Sequence, residues 1–234
     1  MDVLDLVVPV RKAAVNQQLR SALRSWTANL PHRRVWTVGH RHPWLTDEVG
    51  HIPTRQDGTG AANTTVAMRA ACEHPELSDP FIWANDDIFT MRPLPDGMPV
   101  LHRGLMRDHI AARAGQGGLY SDAMRETYAW LTARGYEPLS YDLHVPLPVS
   151  KAGMLDALDQ APGLDSFKRT VYGVLDGIGG EETADLKITY RAPRGYGPQS
   201  VFLSTLPDAF TNGHVGQFIR AAFPKPCKYE RTER

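Results

Sequence analysis

Apolar residues run through the chain in two periods, and the switches between them predict its elements. Leu4 to Val10 reads as a strand centred on Val7 and Val8. From Asn16, a candidate N-cap, Leu19, Ala22, Leu23, Trp26 and Leu30 recur at helical spacing until Pro31 stops them. Val35 to Val38 gives a second strand, Ala61 to Cys72 a helix rich in small side chains, and Phe81 to Ala84 a short strand apolar on both faces. Strand and helix alternating in this way predict an α/β fold, a Rossmann-like mixed sheet flanked by helices.

Further along, the pattern predicts strands over Met98 to His102, Leu139 to Val145, Leu186 to Tyr190 and Val201 to Leu203. It also predicts helices over Ser121 to Ala133, from Ser150 with Val149 and Met154 as a hydrophobic staple, and from Asn212 with Val215, Phe218, Ile219 and Ala222 on one face. The tail from Lys228 to Arg234 is expected to fray. With no internal repeat and no linker, residues 1–234 are expected to form one domain, with 1–104 as a ligand-binding half and 105–234 as an acceptor and catalytic half.

The abrupt end of the Phe81 to Ala84 run carries the chemistry. Asn85, Asp86 and Asp87 follow it at once, and two adjacent carboxylates repel unless a cation or a proton lies between them. A hard divalent ion resolves that conflict, since Mg²⁺ binds through one or two carboxylates and leaves its other positions to water and phosphate oxygens. An Asx-turn ending the strand is the plainer alternative. In α/β sheets ligands bind outside the carboxyl ends of strands, which makes Pro9, Val10 and Arg11 candidates for contact with a base and ribose. Asn63 and Thr64 stand at a helix entry that can hold anionic groups or simply be capped. His40 and His42 either line a pocket or face water.

In the second half the glycine-rich Arg113 to Gly118 lacks the order of a phosphate-binding loop and reads as an acceptor-side loop. His144, before a proline-fixed exit, is a candidate for proton transfer or a hydrogen-bonded structural residue. Lys168 and Arg169 are a cation pair able to meet a diphosphate or to lie on a solvated helix face.

Composition trims these readings without redirecting them. Twenty-six basic and twenty-six acidic residues cancel, so no global field draws the chain to nucleic acid or membrane. Cys72 and Cys227, far apart and without metal-ligand spacing, are expected as reduced thiols. No stretch reads as a signal peptide or membrane span, and a soluble cytoplasmic protein is the expectation.

Taken in order, these blocks resemble the Stealth family of sugar-phosphate transferases, whose core is similar to the GT-A fold of nucleotide-sugar glycosyltransferases. The likeness runs from Leu19-Arg20-Ser21-Ala22-Leu23-Arg24-Ser25 through Val35-Trp36-Thr37-Val38 and Asn63 to Phe81-Ile82-Trp83-Ala84-Asn85-Asp86-Asp87. It continues in His144-Val145-Pro146, in Phe167-Lys168-Arg169-Thr170 and in the closing Phe223-Pro224 to Glu230 segment. Val8-Pro9-Val10-Arg11 stands where the family has Trp-Val-Asp-Gly. Phe202-Leu203-Ser204-Thr205 stands where it has Cys-Leu-Asn-Asp, leaving Asp208 as the nearest carboxylate.

The resemblance implies a GT-A-like domain in which Asp86 and Asp87 hold Mg²⁺ or Mn²⁺ and the donor diphosphate, with Asn85 beside them. It also implies that His144 and Arg169 act near the transferring group. The expected activity is metal-dependent transfer of a sugar from a nucleotide-sugar donor to an acceptor hydroxyl, on a glycan, a protein or a modified nucleobase. Lys168 or Arg169 would assist at the diphosphate, and His144 or Asp208 would take the proton. Transfer of a sugar 1-phosphate from the same donor is the alternative, and a non-catalytic sugar-nucleotide-binding protein is the second. Oligomeric state is left open.

Overall fold

The computed structural model describes residues 3–192 and 195–231. In chain order the elements are β1 (Asp5–Val10), α1 (Gln17–Asn29), β2 (Val35–Gly39), β3 (Gly50–Ile52), α2 (Gly60–Glu73), β4 (Phe81–Trp83), β5 (Ile88–Thr90) and β6 (Leu101–His102). Then follow α3 (Met106–Ala112), α4 (Leu119–Thr132), β7 (Leu147–Val149), α5 (Lys151–Gln160), α6 (Lys168–Leu175) and β8 (Glu181–Glu182). The chain closes with β9 (Lys187–Ile188), β10 (Phe202–Thr205), α7 (Pro207–Asn212) and α8 (His214–Ala222).

The main sheet has the order β3-β2-β1-β4-β7. Its first four strands are parallel, and β7 closes the edge antiparallel to β4, with Trp83 opposite Leu147. This is the expected α/β arrangement, a mixed sheet between helical layers. Alternation along the strands explains the layers. Leu6, Val8, Val10, Ile82 and Ala84 face a core shared with α1, α7 and α8. Val7, Trp36, Val38, Phe81 and Trp83 face the opposite core, closed by α2, α5 and α6. Each fully buried large side chain, Trp26 or Trp83 for example, contributes on the order of 2–3 kcal/mol by leaving water.

Two smaller sheets flank the main one. In the first, β10 runs antiparallel to β5 and parallel to β9; in the second, β6 pairs with β8. Asn85, Asp86 and Asp87 lie in the turn between β4 and β5, where the amide of Ile88 donates to the carbonyl of Asn85 at 3.2 Å. They therefore occupy the seam between the main sheet and the β5-β10-β9 sheet.

Several expectations require correction. Leu139 to Val145 forms no strand; β7 begins at Leu147 instead. Leu139 makes one isolated antiparallel bridge with Leu105, and beyond it the backbone is held by distant side chains, Tyr141 N by Thr170 Oγ1 at 3.0 Å and His144 N by Asp185 Oδ1 at 2.9 Å, so the bridge does not extend into a ladder. Proline is tolerated in β7 at Pro148 because the strand is an edge. Helix α6 packs so closely on this segment that a Cβ on Gly173 would lie 2.4 Å from the Tyr141 ring. Asn212 ends α7, and Gly213 precedes α8 with no side-chain cap. Helix α3 falls between His102 and Arg113, where the sequence pattern predicts no element.

The tail is docked as far as it is described. Tyr229 and Glu230 are buried, and Glu230 accepts from Arg24 Nε at 2.6 Å and from Arg20 at 3.3 Å. Burial alone would raise its pKa, but the Arg24 hydrogen bond and charge prevail and hold the carboxyl below its ordinary value. Residues 232–234 of the expected frayed segment, and 193–194 of the Arg191 to Pro198 turn, lie outside the described residues. Among the described residues no helix is long and apolar enough to cross a membrane, and Cys72 and Cys227 are both free thiols.

Candidate functional site

The main sheet changes winding direction between β1 and β4: β2 and β3 extend to one side of β1, β4 and β7 to the other. A crevice opens outside the carboxyl ends of strands at such a point. Here it is a cavity of about 350 Å³ lined by Pro9, Val10 and Arg11 at the end of β1, Asn63, Thr64 and Ala67 from α2, and Asn85, Asp86 and Asp87 beyond β4. Gln18, Val38, Gln56, Gly60 and Pro207 complete its wall.

The strand ends are tied rigidly together. Gln56 donates to the carbonyl of Val10 at 2.6 Å and accepts from the amide of Lys12 at 2.8 Å, which pins the loop before α2 to the end of β1. Gly39, at φ +99°, ends β2 beside it, and a Cβ there would strike both Gln56 and the Val10 carbonyl. On α2, Asn63 is engaged locally, donating to the carbonyl of Gly58 at 2.9 Å and accepting from its amide at 3.1 Å. That leaves Asn63 serving the helix entry while it lines the cavity.

The two carboxylates are held differently. Asp86 Oδ2 accepts from Asn16 Nδ2 at 2.5 Å, while Asn16 Oδ1 caps α1 by accepting from the amide of Leu19 at 2.9 Å. One side chain thus fixes both the start of α1 and the orientation of Asp86. Burial pushes the Asp86 carboxyl above its ordinary range, the Asn16 hydrogen bond opposes this, and the charge of Asp87 adds to the upward push. Asp87 Oδ2 accepts from Ser204 Oγ at 3.1 Å and lies 3.3 Å from Lys187 Nζ, whereas Asp87 Oδ1 is buried without a partner. A buried carboxylate oxygen left unsatisfied is costly, and its usual remedy is an ion or an ordered water.

Among the described residues no group of three or more His, Cys, Asp and Glu side chains comes together around an ion. Two adjacent carboxylates, one with a free buried oxygen, are nevertheless a donor set of the kind Mg²⁺ takes when substrate phosphate and water fill its remaining positions. The residues fit such an ion.

His144 lies at the same edge of the sheet. Strands β4 and β7 are antiparallel, so beyond the Trp83 and Leu147 pair the chain toward Asp86 and the chain back toward His144 leave the sheet together. His144 Nδ1 is 2.9 Å from Asp185 Oδ2, and Arg103 stands 3.6 Å from the same oxygen. Burial would raise the Asp185 pKa, but hydrogen bonds from His144 outweigh it and hold the carboxyl below its ordinary value. A carboxylate can only accept, so Nδ1 carries the proton and Nε2 is left as the basic nitrogen. Asp185 precedes Lys187 by two residues, roughly 7 Å of extended chain, and this short arm reaches His144 at one end and Asp87 at the other.

The remaining candidates sit elsewhere. Arg169 is partly buried, and its guanidinium donates to the carbonyls of Leu143 at 2.7 Å and Val145 at 2.9 Å, clamping the backbone on both sides of His144. Burial lowers its pKa to about 10. Lys168 bonds the carbonyls of Leu164 and Ser166 on its own segment, with its pKa lowered by burial. Asp208 is exposed and held by Arg191 through two contacts of 2.7 Å and by Asn212 at 2.8 Å, and these bonds bring its pKa down to about 2. None of the three lines the cavity, although Pro207 does. His40 lines a separate hollow with Arg11, Lys12 and Arg55, while His42 is buried and stacked on Trp44 at 5.5 Å.

Sequence reasoning missed Asp185, Lys187, Ser204 and the second bond of Asn16. The only signal for the last was its place as a helix cap; Lys187 and Ser204 come from short strands and Asp185 from the loop before one, each more than forty residues from the group it touches.

No family model matches the chain, and no curated protein matches it significantly. Among solved structures, the apo form of the glycosyltransferase GlyE from Streptococcus pneumoniae TIGR4 is similar over 78% of this chain, at 11% identity and a TM-score of 0.39. This chain spans 46% of that one, less than half its length, and the likeness is too slight to carry chemistry from one protein to the other.

Proposed function

We propose that the protein is a metal-dependent glycosyltransferase that moves a sugar from a nucleotide-sugar donor to an acceptor hydroxyl. One observation carries the reading: Pro9, Val10, Arg11, Asn63, Asn85, Asp86 and Asp87, from three separate stretches, line a single cavity at the switch point of the sheet. A nucleoside diphosphate fits such a crevice, with base and ribose against the ends of β1 and β2 and the diphosphate toward Asp86 and Asp87. Mg²⁺ or Mn²⁺ held by these carboxylates would neutralise the charge that gathers on the departing diphosphate.

Proton removal falls to His144. Its Nε2 is free to take the acceptor proton, and Asp185 stabilises the imidazolium that results. Arg169 acts through His144 as a positioning residue, since its two terminal nitrogens hold the flanking carbonyls. Asp208 is too weak a base, with its carboxylate held by Arg191 near pKa 2.

A second reading, transfer of a sugar 1-phosphate from the same donor, is favoured by one contact. The two blocks that resemble sugar-phosphate transferases, around His144 and around Arg169, meet through the Arg169 clamp. Product analysis separates the readings. Incubation with labelled nucleotide sugars and Mn²⁺ should release a nucleoside diphosphate for sugar transfer and a nucleoside monophosphate for sugar-phosphate transfer. Donor binding with neither product over prolonged incubation would leave a sugar-nucleotide-binding protein.

A further inference from the structure

Charge around the acid pair is already partly balanced by the chain itself. Lys187 Nζ lies 3.3 Å from Asp87 Oδ2, one contact behind the cavity wall, and both side chains are largely buried, at 25% and 19% exposure. The placement is set by register. Lys187 pairs with Ser204 across β9 and β10, Ser204 pairs with Ile88 across β10 and β5, and Asp87 is the residue before Ile88. Ser204 and Lys187 thus converge on one oxygen of Asp87, and the other stays buried and unpartnered.

A divalent ion at Asp86 and Asp87 would stand within a few ångströms of that ammonium, and two cations so close repel each other unless anions separate them. Lysine can yield. Its charge rides on a flexible four-carbon stem, unlike the fixed fork of arginine. The anion able to accept it is a diphosphate arriving with the metal. We propose that Lys187 is the resident counter-ion of Asp87, which gives that carboxylate up to the metal and turns to the donor diphosphate. This role rests on the glycosyltransferase reading of the same cavity and adds a residue to it. Lys187 would then hold the acid pair together in the empty site and become a phosphate ligand in the filled one.

The test measures binding. Mn²⁺ affinity is read from its EPR signal, and UDP, GDP, CDP and dTDP affinities by calorimetry at saturating Mn²⁺, for wild type, K187M, K187R and Asp87→Asn, with thermal melting to confirm folding. K187M is expected to bind Mn²⁺ alone about threefold to tenfold more tightly, because a competing cation is gone. It is expected to bind the preferred nucleoside diphosphate at least about tenfold more weakly. K187R, which keeps the charge, should retain most of the nucleotide affinity. Folded K187M that binds both probes as the wild type does overturns the role of Lys187 and leaves the transferase reading standing. Folded wild type that binds neither Mn²⁺ nor any of the four nucleotides overturns both.

Discussion

The carboxyl edge of the main sheet holds two polar regions built by opposite means. Around Asp86 and Asp87 the groups come from strand ends and helix entries, where the alternation of elements brings them together, and they enclose an open cavity. Around His144 the chain is irregular. Its position depends on Arg169 holding the carbonyls of Leu143 and Val145 and on Asp185 holding the His144 amide and ring. The first region is placed by topology and the second by buried side chains. The first should therefore lose chemistry without losing the fold, and the second should lose both together.

Asp87→Asn offers the sharpest cut. It keeps the shape and removes the charge that would hold a metal, so turnover should fall about a thousandfold while melting stays near wild type. A metal-dependent rise in melting temperature with donor, expected for wild type, should vanish. If Asp87→Asn responds to donor and Mn²⁺ as wild type does, the acid pair does not hold the ion.

Arg169→Met tests the other region. It leaves two buried carbonyls without donors and frees the backbone around His144, which should cost about 3 kcal/mol in denaturant unfolding and abolish activity. A variant as stable as wild type would mean that the segment keeps its place without the clamp. His144→Gln and Asp185→Asn should each lower kcat about a hundredfold with little change in donor KM, because they touch proton transfer and not donor binding. Equal losses in KM would move His144 into the donor site.

The same contrast marks what could be read from sequence. Strands β1, β2 and β4 and helices α1 and α2 were legible because their apolar periods are local, and Asp86 and Asp87 because charge after a buried run is anomalous. Strand β3, three residues long, carries no period to detect. The segment from Leu139 to Val145 alternates like a strand, but Thr170, Asp185 and Arg169 supply the partners that a ladder would, and these lie 24 to 41 residues away. Glu230 looked like part of a free tail because Arg20 and Arg24, which bury it, belong to the first helix. Lys187 was invisible for the same reason, as no local pattern links residue 187 to residue 87.

Asp86→Asn gives a smaller effect of opposite sign. The folded protein holds a proton on Asp86 to higher pH than the unfolded chain does, owing first to burial and then to Asp87. Ionised Asp86 therefore destabilises the fold at neutral pH, and the penalty is relieved as pH falls through the raised pKa, levelling off below the ordinary value of 3.8. Asparagine still accepts from Asn16 and carries no charge, so the variant should be about 1 kcal/mol more stable than wild type at pH 7. The gap should close on acidification, while activity is lost. Denaturation at several pH values decides this, and a gap that widens toward acid would show that the charged form is the one the fold prefers.

The smallest effect belongs to the candidate that lies outside both regions. Asp208 is an exposed carboxylate paired with Arg191 and hydrogen-bonded by Asn212, and exposed pairs contribute little because water and salt screen them. A group held near pKa 2 is also deprotonated throughout the physiological range without being basic enough to take a hydroxyl proton. Asp208→Asn should therefore keep kcat within about threefold of wild type and leave its pH dependence between pH 5 and 8 unchanged. A hundredfold loss would require Asp208 to leave Arg191 and swing past Pro207 into the cavity when donor binds, and it would transfer the role of base from the partly buried His144 and Asp185 pair to the exposed start of α7.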